Sequence, residues 1–519
     1  MSRPSKNRAT SPIRYAILVF IILSLAAFLR IYKLGSIPYG IYCDEAANGY
    51  DSFCILKTGA DMHGRTLPFI IKHHDIDFIE SLYVYLSVPF IALFNLSIFS
   101  TRFLAAFIGT LTVLSVFFLT RELFGKNTAL IAALLIALSP WHLHFSRIAF
   151  RAILAPFFIT TGLYFFFRGL RKPVFLVSSA VFFGLALNSY TAAKISVPLM
   201  LAVLFILYRR KIAFQLAHNK TFARCAVFST FILFFLALAS YFPLLIYKNP
   251  HIGGISIFST EENPLFFFIR NFGKHLSPGF LFISGDTNLR HSIPGFGQYL
   301  HITAIFLASG IIYAFKFRKK NLILLVSFFL AGLVPSALTN DFVPHALRAI
   351  TSVPFLEILA SYGAVRLYGF LLNKKFIYKT FAAALISFLF LFDAAYFVHD
   401  YFLRYPLASR DFFQGPSMDA LNYAKTLSSN YEYIVLSDKL VYPYILPLFF
   451  DKINPNPRLR KNKIKYIISM KNVDDTYRVF KGKALFIVKA DELPGEEPIY
   501  CILNRNNRFV LKVLGTVPN

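Results

Sequence analysis

Long apolar runs separated by short polar turns occupy the chain up to about residue 394. They recur near 15–31, 101–120, 128–143, 152–168, 173–190, 194–208, 224–244, 298–315, 321–338, 350–370 and 377–394. A helix needs about 20 apolar residues to cross a bilayer, so the pattern predicts about eleven spans. The fold class expected is mainly α: a polytopic transmembrane helical bundle over residues 1–394, with long outer loops at 32–100 and 247–298. From about residue 395 the pattern changes. YIVLSD (433–438) and KALFIVKADELP (483–494) read as strands, and SMDALNYAKTLSS (417–429) reads as a helix. Residues 395–519 therefore predict a small soluble α/β domain.

The turns between the runs are of two kinds. One set is basic: the N-terminal tail, Arg121–Lys126, Arg168–Lys172, Arg209–Arg224, Lys316–Lys320 and Asn373–Lys379. The other set holds acids, histidines and Pro/Gly turns. Basic loops stay on the cytoplasmic side, which puts the N-terminus inside and the C-terminal domain outside a cell membrane, a bacterial cytoplasmic membrane in this reading. The acids agree. Of 26 carboxylates, seven lie between Asp44 and Glu80 and twelve from Asp400 onward; of the rest only Glu122 falls in a basic loop. The first run lacks a small-residue cleavage site after it, so it is expected to remain as the first span.

Composition removes one competing class. A net charge of +28 would suggest nucleic acid in a soluble protein. Here only 15% of residues are charged and mean hydropathy is +0.57, so the expected partners are membrane lipids and no nucleic acid. The four cysteines form no CxxC pair, which argues against a thiolate zinc site. Cys43 and Cys54 share one loop, either as a disulfide or as two free thiols.

Chemistry-bearing residues concentrate in the outer loops. Asp44-Glu45 opens the stretch DEAANGYDSFCILKTG, whose Ala47, Tyr50, Phe53 and Cys54 share a helical face suited to the membrane interface. Asp44 reads either as a helix cap or as a partly desolvated base. Leu82–Phe94 is short for a span and predicts a second interfacial or re-entrant helix. Between them KHHDIDFIE (72–80) offers His73, His74, Asp75, Asp77 and Glu80, a ligand-rich run that matches no metal motif and reads first as a solvated face. His142 and His144 flank the outer end of a span beside Trp141. The outer basic residues Arg147, Arg151, Lys194, Arg270, Lys274, Arg290 and Arg348 would each suit a lipid headgroup, or together a phosphate or diphosphate. GDTNLRHSIPG (285–295) sets Asp286, Asn288, Arg290 and His291 in a Gly/Pro-framed turn.

Taken in order, CDEAANGYDSFCILKTG, LYVYLSVPFIALFNLSIFSTRFLAAFIGTLTVL, LTRELFGKNTALIAALLIALSPWHLHFSRIAF, GDTNLRHSIPG and HALRAITSVPFLEILASYG resemble the GT-C glycosyltransferases. The resemblance is to the bacterial family 39 type, with its protein O-mannosyltransferases and aminoarabinose transferases of lipid A, over roughly residues 30–370. It implies a transferase that moves a monosaccharide from a polyprenyl-phosphate sugar to a protein, lipid or cell-wall glycan acceptor outside the membrane. It implies Asp44 as catalytic carboxylate and Glu45 as its partner. Asp77, Glu80, His73 and His142 become candidates near the acceptor or a metal, and Arg290, His291, Arg348 and Lys274 candidates for the donor phosphate. Two departures stand out. The family's Lys-Pro before the second interfacial helix is missing, and Ala155-Pro156 replaces an Asp-Pro of some relatives. A divalent metal stays open as cofactor. No P-loop is present, so no nucleotide is called for. The alternative is a transporter or flippase for a lipid-linked sugar, against which stands the lack of repeat symmetry.

Overall fold

The computed structural model describes residues 12–74, 77–247, 255–259, 263–372, 375–456, 465–469 and 473–515. Each of the apolar runs forms a helix. In chain order the helices used below are α1 (Pro12–Ile31), α2 (Cys43–Thr58), α3 (Leu82–Phe94), α4 (Ile98–Phe124), α5 (Lys126–Leu138), α6 (Pro140–Phe145), α7 (Leu154–Gly169), α8 (Phe175–Leu187), α9 (Ala193–His218) and α10 (Lys220–Ile246). They continue with α11 (Pro264–Leu276), α12 (Thr303–Phe317), α13 (Lys319–Ala337), α14 (Val353–Leu372) and α15 (Phe376–His399). Among the described residues, seven helical segments are long and apolar enough to cross a membrane, and Leu82–Phe94, Lys126–Leu138, Phe175–Leu187 and Thr303–Phe317 are shorter apolar helices. The chain is a multi-pass membrane protein. Backbone polar groups have no water to bond to in lipid, so helices are the form that such apolar runs must take.

Several of the basic turns meet at one end of the bundle. Tyr15 donates to the carbonyl of Lys126, Asn321 to that of Leu123, and Lys320 lies 3.6 Å over the ring of Tyr208. Arg171 pairs with Glu122, the one acid in these turns.

The C-terminal region forms a mixed five-stranded sheet. Its strands are β3 (Tyr433–Leu436), β4 (Lys465–Ile468), β5 (Ala484–Lys489), β6 (Tyr500–Leu503) and β7 (Phe509–Leu514), in the order β4-β3-β5-β7-β6. β3 runs parallel to β4 and β5; β7 is antiparallel to both its neighbours. The helix Gly415–Thr426 and the short helix Ile445–Phe450 pack beside it.

That domain explains α2. Capping by the glycine at position 59, with φ +70°, ends the helix. The apolar face Ala47, Tyr50, Phe53 and Cys54 does not lie against lipid, as the amphipathic pattern suggested. It packs into one core with Ile445, Leu446 and Phe449 of the C-terminal domain. Burying each such large side chain stabilises the contact by about 1.5–3 kcal/mol. Close approach is required at Gly49, where a Cβ would sit 2.4 Å from Thr101 Oγ1 of α4 and 2.9 Å from Phe449. Cys43 and Cys54 are both buried and are not joined in a disulfide.

Candidate functional site

The acid-and-histidine run at 72–80 is a β-hairpin. β1 (Ile70–His73) pairs antiparallel with β2 (Asp77–Glu80). The solvated face read from the sequence is not what forms: His73, His74 and Glu80 are all buried. The reason is tertiary: His73 and His74 lie against Asp44 at the start of α2, Tyr442 and Tyr444 cover His74, and Lys194 and Arg151 enclose Glu80. The side chain of Asp77, and Asp75 altogether, lie outside the described residues.

The hairpin delivers its histidines to Asp44. His74 Nε2 lies 3.2 Å and His73 Nε2 3.4 Å from the same oxygen, Asp44 Oδ1. The Asp44 side chain keeps 37% of its surface exposed, and that surface faces a cavity of about 790 Å³. Enclosure raises the pKa of this carboxyl, but the hydrogen bonds and charges of His73 and His74 outweigh it and hold the group well below the usual carboxylate range. Burial in turn pushes His73 below the usual imidazole value, against the pull of Asp44.

Glu45, one residue on, points the other way. It is fully buried, with Arg102 Nε at 2.8 Å and Nη2 at 2.9 Å. The amide of Ala149 donates to it as well, at 2.8 Å. Arg102 also donates to the carbonyls of Pro38 and Gly40, both at 2.9 Å. Helical geometry separates neighbouring side chains by 100°, so one of the pair faces the cavity and the other ties α2 to α4.

Loop 285–295 forms the opposite wall. Gly285, at φ +68°, opens it; a Cβ there would lie 2.0 Å from Ser292 Oγ. Asp286 Oδ1 accepts from the amide of Asn288 and Oδ2 from that of Ala346, both at 2.9 Å. His291 Nδ1 lies 3.3 Å from Asp286 Oδ2, and the rings of His291 and His345 are 4.5 Å apart. Burial lowers the pKa of His291 and His345; Asp286 opposes this at His291, while the other charges around His345 add to it. Arg290 lies 4.0 Å over the ring of Tyr42, and Arg348 is tethered to Asp341 and Thr339. Arg151, Asn48 and Tyr190 complete the wall between.

Of the site residues expected from sequence, Asp44, His73, Arg290, His291 and Arg348 line this cavity. Glu80 does not. It holds Lys194 Nζ at 2.5 Å and Arg151 Nε at 3.0 Å and lines a neighbouring apolar groove of about 260 Å³. That groove shares Phe78, Ile79 and Thr191 with the main cavity. His142 is buried in the bundle, 2.9 Å from Arg30 Nη2, and Lys274 is exposed on α11; neither lines the cavity. Sequence reasoning gave no role to His345 or Tyr442, which do. His345 stands just before Ala346 and Arg348 in a stretch already singled out, and its proximity to a predicted basic site residue was the available signal.

Two clusters bring three ligating groups within 4.8 Å of one another: Cys43, Asp44 and His74, and Asp286, His291 and His345. In the first, burial and Asp44 hold the Cys43 thiol protonated, and a metal takes the thiolate. The second has the neutral imidazoles and carboxylate that suit a divalent cation, with Arg290 and Arg348 nearby opposing it electrostatically.

Residues 82–235 match the model of the dolichyl-phosphate-mannose-protein mannosyltransferase family. The whole structure is similar to ArnT from Cupriavidus metallidurans bound to undecaprenyl phosphate, with a TM-score of 0.60 and 14% identity over 97% of this chain and 98% of that one. It is also similar to the Archaeoglobus fulgidus oligosaccharyltransferase in the apo form, with a TM-score of 0.54 and 15% identity over 92% and 70% of the two chains. The archaeal oligosaccharyltransferase AglB in complex with an inhibitory peptide and a dolichol-phosphate gives 0.52 and 16% over 83% and 63%. No curated protein matches the sequence. The fold is that of the GT-C glycosyltransferases.

Proposed function

We propose that the protein is a membrane glycosyltransferase that moves a monosaccharide from a polyprenyl-phosphate sugar to an acceptor on the extracytoplasmic face. The observation that carries this reading is Asp44: an ionised carboxylate, backed by two imidazoles, exposed to a cavity whose other wall holds Arg290 and Arg348. Such a cavity separates a negative reacting edge from a positive one. The relatives in fold support a lipid-phosphate ligand: ArnT is described with undecaprenyl phosphate and AglB with a dolichol-phosphate.

The residues then divide the reaction between them. The acceptor hydroxyl or amine donates a hydrogen bond to Asp44. Its lone pair forms the new bond to the anomeric carbon, and the bond from that carbon to the phosphate oxygen breaks, its electron pair leaving on polyprenyl phosphate. The acceptor proton passes to Asp44, whose negative charge the two imidazoles support before the step. Arg290 meets the charge that grows on the leaving phosphate, with Arg348 and Arg151 beside it. The apolar groove next to the cavity offers a path for an isoprenoid tail. The basic turns lie at the far end of the bundle from this cavity, as a cytoplasmic set would.

Purified protein supplied with radiolabelled polyprenyl-phosphate sugars and membrane extract tests the proposal. Label moves from lipid to an acceptor with the wild type and stays on the lipid with Asp44→Asn at equal protein level. Full transfer by Asp44→Asn removes the assigned base; label that never leaves any donor in the wild-type reaction argues for a transporter.

A further inference from the structure

We infer that the C-terminal domain is part of the active centre, because its Tyr442 and Tyr444 fix the imidazole of His74 against Asp44. The inference rests on the glycosyltransferase reading for its kinetic consequence, and on geometry alone for the contact.

The contact is specific at both edges and at the face of the ring. Tyr444 Oη lies 3.0 Å from His74 Nδ1, while His74 Nε2 faces Asp44 Oδ1 at 3.2 Å. The ring of Tyr442 stacks on that of His74, with centroids 3.9 Å apart and planes 16° from parallel. His73 closes the remaining side edge-on at 4.1 Å. His74 is 5% exposed as a result.

Hydrogen-bond arithmetic fixes the tautomer. An ionised Asp44 can only accept, so Nε2 must carry the proton. In the neutral imidazole Nδ1 is then a lone pair, and Tyr444 donates to it. Tyr444–His74–Asp44 is thus a directed chain whose far end belongs to another domain, some 370 residues away along the sequence. Both His74 (φ +49°) and Tyr442 (φ +45°) hold left-handed backbone conformations. Such a conformation is strained in a non-glycine residue and persists only where the surroundings enforce it. Two such residues stacked on each other indicate that the contact is itself what is being held.

Other groups face the same pair. Tyr42 and Cys43 approach from the start of α2, Arg290 from the opposite loop, and Arg151 and Tyr190 from the wall between. None of them reaches Nδ1 of His74 among the described residues. Tyr444 is therefore a positioning residue: it touches no substrate and acts through His74.

Two readouts on the full-length protein in detergent test this separately. The first needs no activity: carbethoxylation of His74 by diethyl pyrocarbonate, mapped by peptide mass spectrometry. His74 reacts slowly in the wild type, several-fold faster in Tyr444→Phe and at least about tenfold faster in Tyr442→Ala. The second is transfer of labelled sugar. Tyr444→Phe lowers kcat about tenfold with donor KM within twofold. Tyr442→Ala falls further, and Tyr442→Phe, which keeps the stacked ring, recovers most of that loss. Val479→Ala, on an exposed position of the same domain, behaves as wild type in both. Unchanged His74 reactivity in Tyr442→Ala and Tyr444→Phe overturns the contact. Raised reactivity with undiminished turnover overturns the positioning role. If the wild type transfers no sugar from any polyprenyl-phosphate donor, the enzyme reading falls, and the modification rates still decide the contact.

Discussion

The two walls of the cavity use the same parts in opposite order. On the hairpin wall the carboxylate of Asp44 stands forward, 37% exposed, and the imidazoles of His73 and His74 stand behind it. On the loop wall the carboxylate of Asp286 is fully covered and the imidazole of His291 stands in front, joined by His345 and two guanidinium groups. One wall presents a fixed negative charge; the other presents neutral nitrogen and positive charge. The order matters because a buried imidazole stabilises the charge of whatever carboxylate it backs, whereas a buried carboxylate orients whatever imidazole it backs. A group-transfer site needs both edges, one toward the incoming nucleophile and one toward the leaving anion.

The largest effect should come from the forward group of the first wall. Asp44→Asn keeps the shape and removes the charge, and turnover should fall by about 10²–10⁴-fold, measured as label released from the donor lipid. His291→Gln should cost less, on the order of tenfold to a hundredfold, because an imidazole that meets departing phosphate shares its work with Arg290. Should His291→Gln prove the more damaging, the walls have been given the wrong roles. Arg290→Gln should act mainly on donor binding, raising donor KM about tenfold with kcat less affected, as expected when one charge-assisted contact to phosphate is lost. Its side-chain partners are the ring of Tyr42 and the amide of Asn288 rather than a carboxylate, so no buried counter-charge is orphaned by the change.

The same comparison predicts a pH profile. Asp44 is held well below the ordinary carboxylate range and His291 below the ordinary imidazole value of about 6.5. As pH falls from 7, both keep their working states past the point where exposed equivalents would change. Turnover should therefore change by less than about twofold between pH 7 and pH 6. A steep acid loss centred near pH 6.5 would mean that a freely solvated imidazole controls the rate instead.

Periodicity made the bundle legible. Eleven apolar runs became eleven helices because lipid leaves them no other form, and the strands and helix foreseen after residue 395 are β3, β5 and Gly415–Thr426. Asp44, Arg290, His291 and Arg348 were legible as polar residues gathered in outer loops. What the sequence hid depends on pairings between distant segments. His74 looks solvated until Tyr442 and Tyr444 of the C-terminal domain cover it. The face of α2 looks lipid-bound until Phe449 packs on it. Asp44 and Glu45 look like a pair, yet only the depth at which Arg102 sits separates them. Tyr442 and Tyr444 carried no local signal at all, since their meaning lies in a ring some 370 residues away.

Glu80 offers the smallest effect on transfer and the sharpest control for the hairpin wall. It lies on the same hairpin as His73 and His74 but serves two cations, Lys194 and Arg151, rather than the cavity. Burial raises its pKa, yet the two cations outweigh this and bring it from 4.5 to about 2. The folded pKa is below the unfolded one, so the stability it contributes is complete above about pH 4.5 and is lost as pH falls toward 2. Glu80→Gln removes that contribution at every pH and leaves buried Lys194 and half-buried Arg151 without their counter-charge, a change that costs on the order of 3 kcal/mol. The thermal midpoint in detergent should drop at neutral pH, and the mutant should lose the part of the wild-type acid destabilisation that lies between pH 4.5 and 2. Turnover at a temperature where both proteins are folded should stay within about fivefold, because Asp44 keeps both imidazoles. A collapse of turnover as deep as that of Asp44→Asn, in a protein still folded, would show that Glu80 works on the reacting groups and that the hairpin wall has a second forward carboxylate.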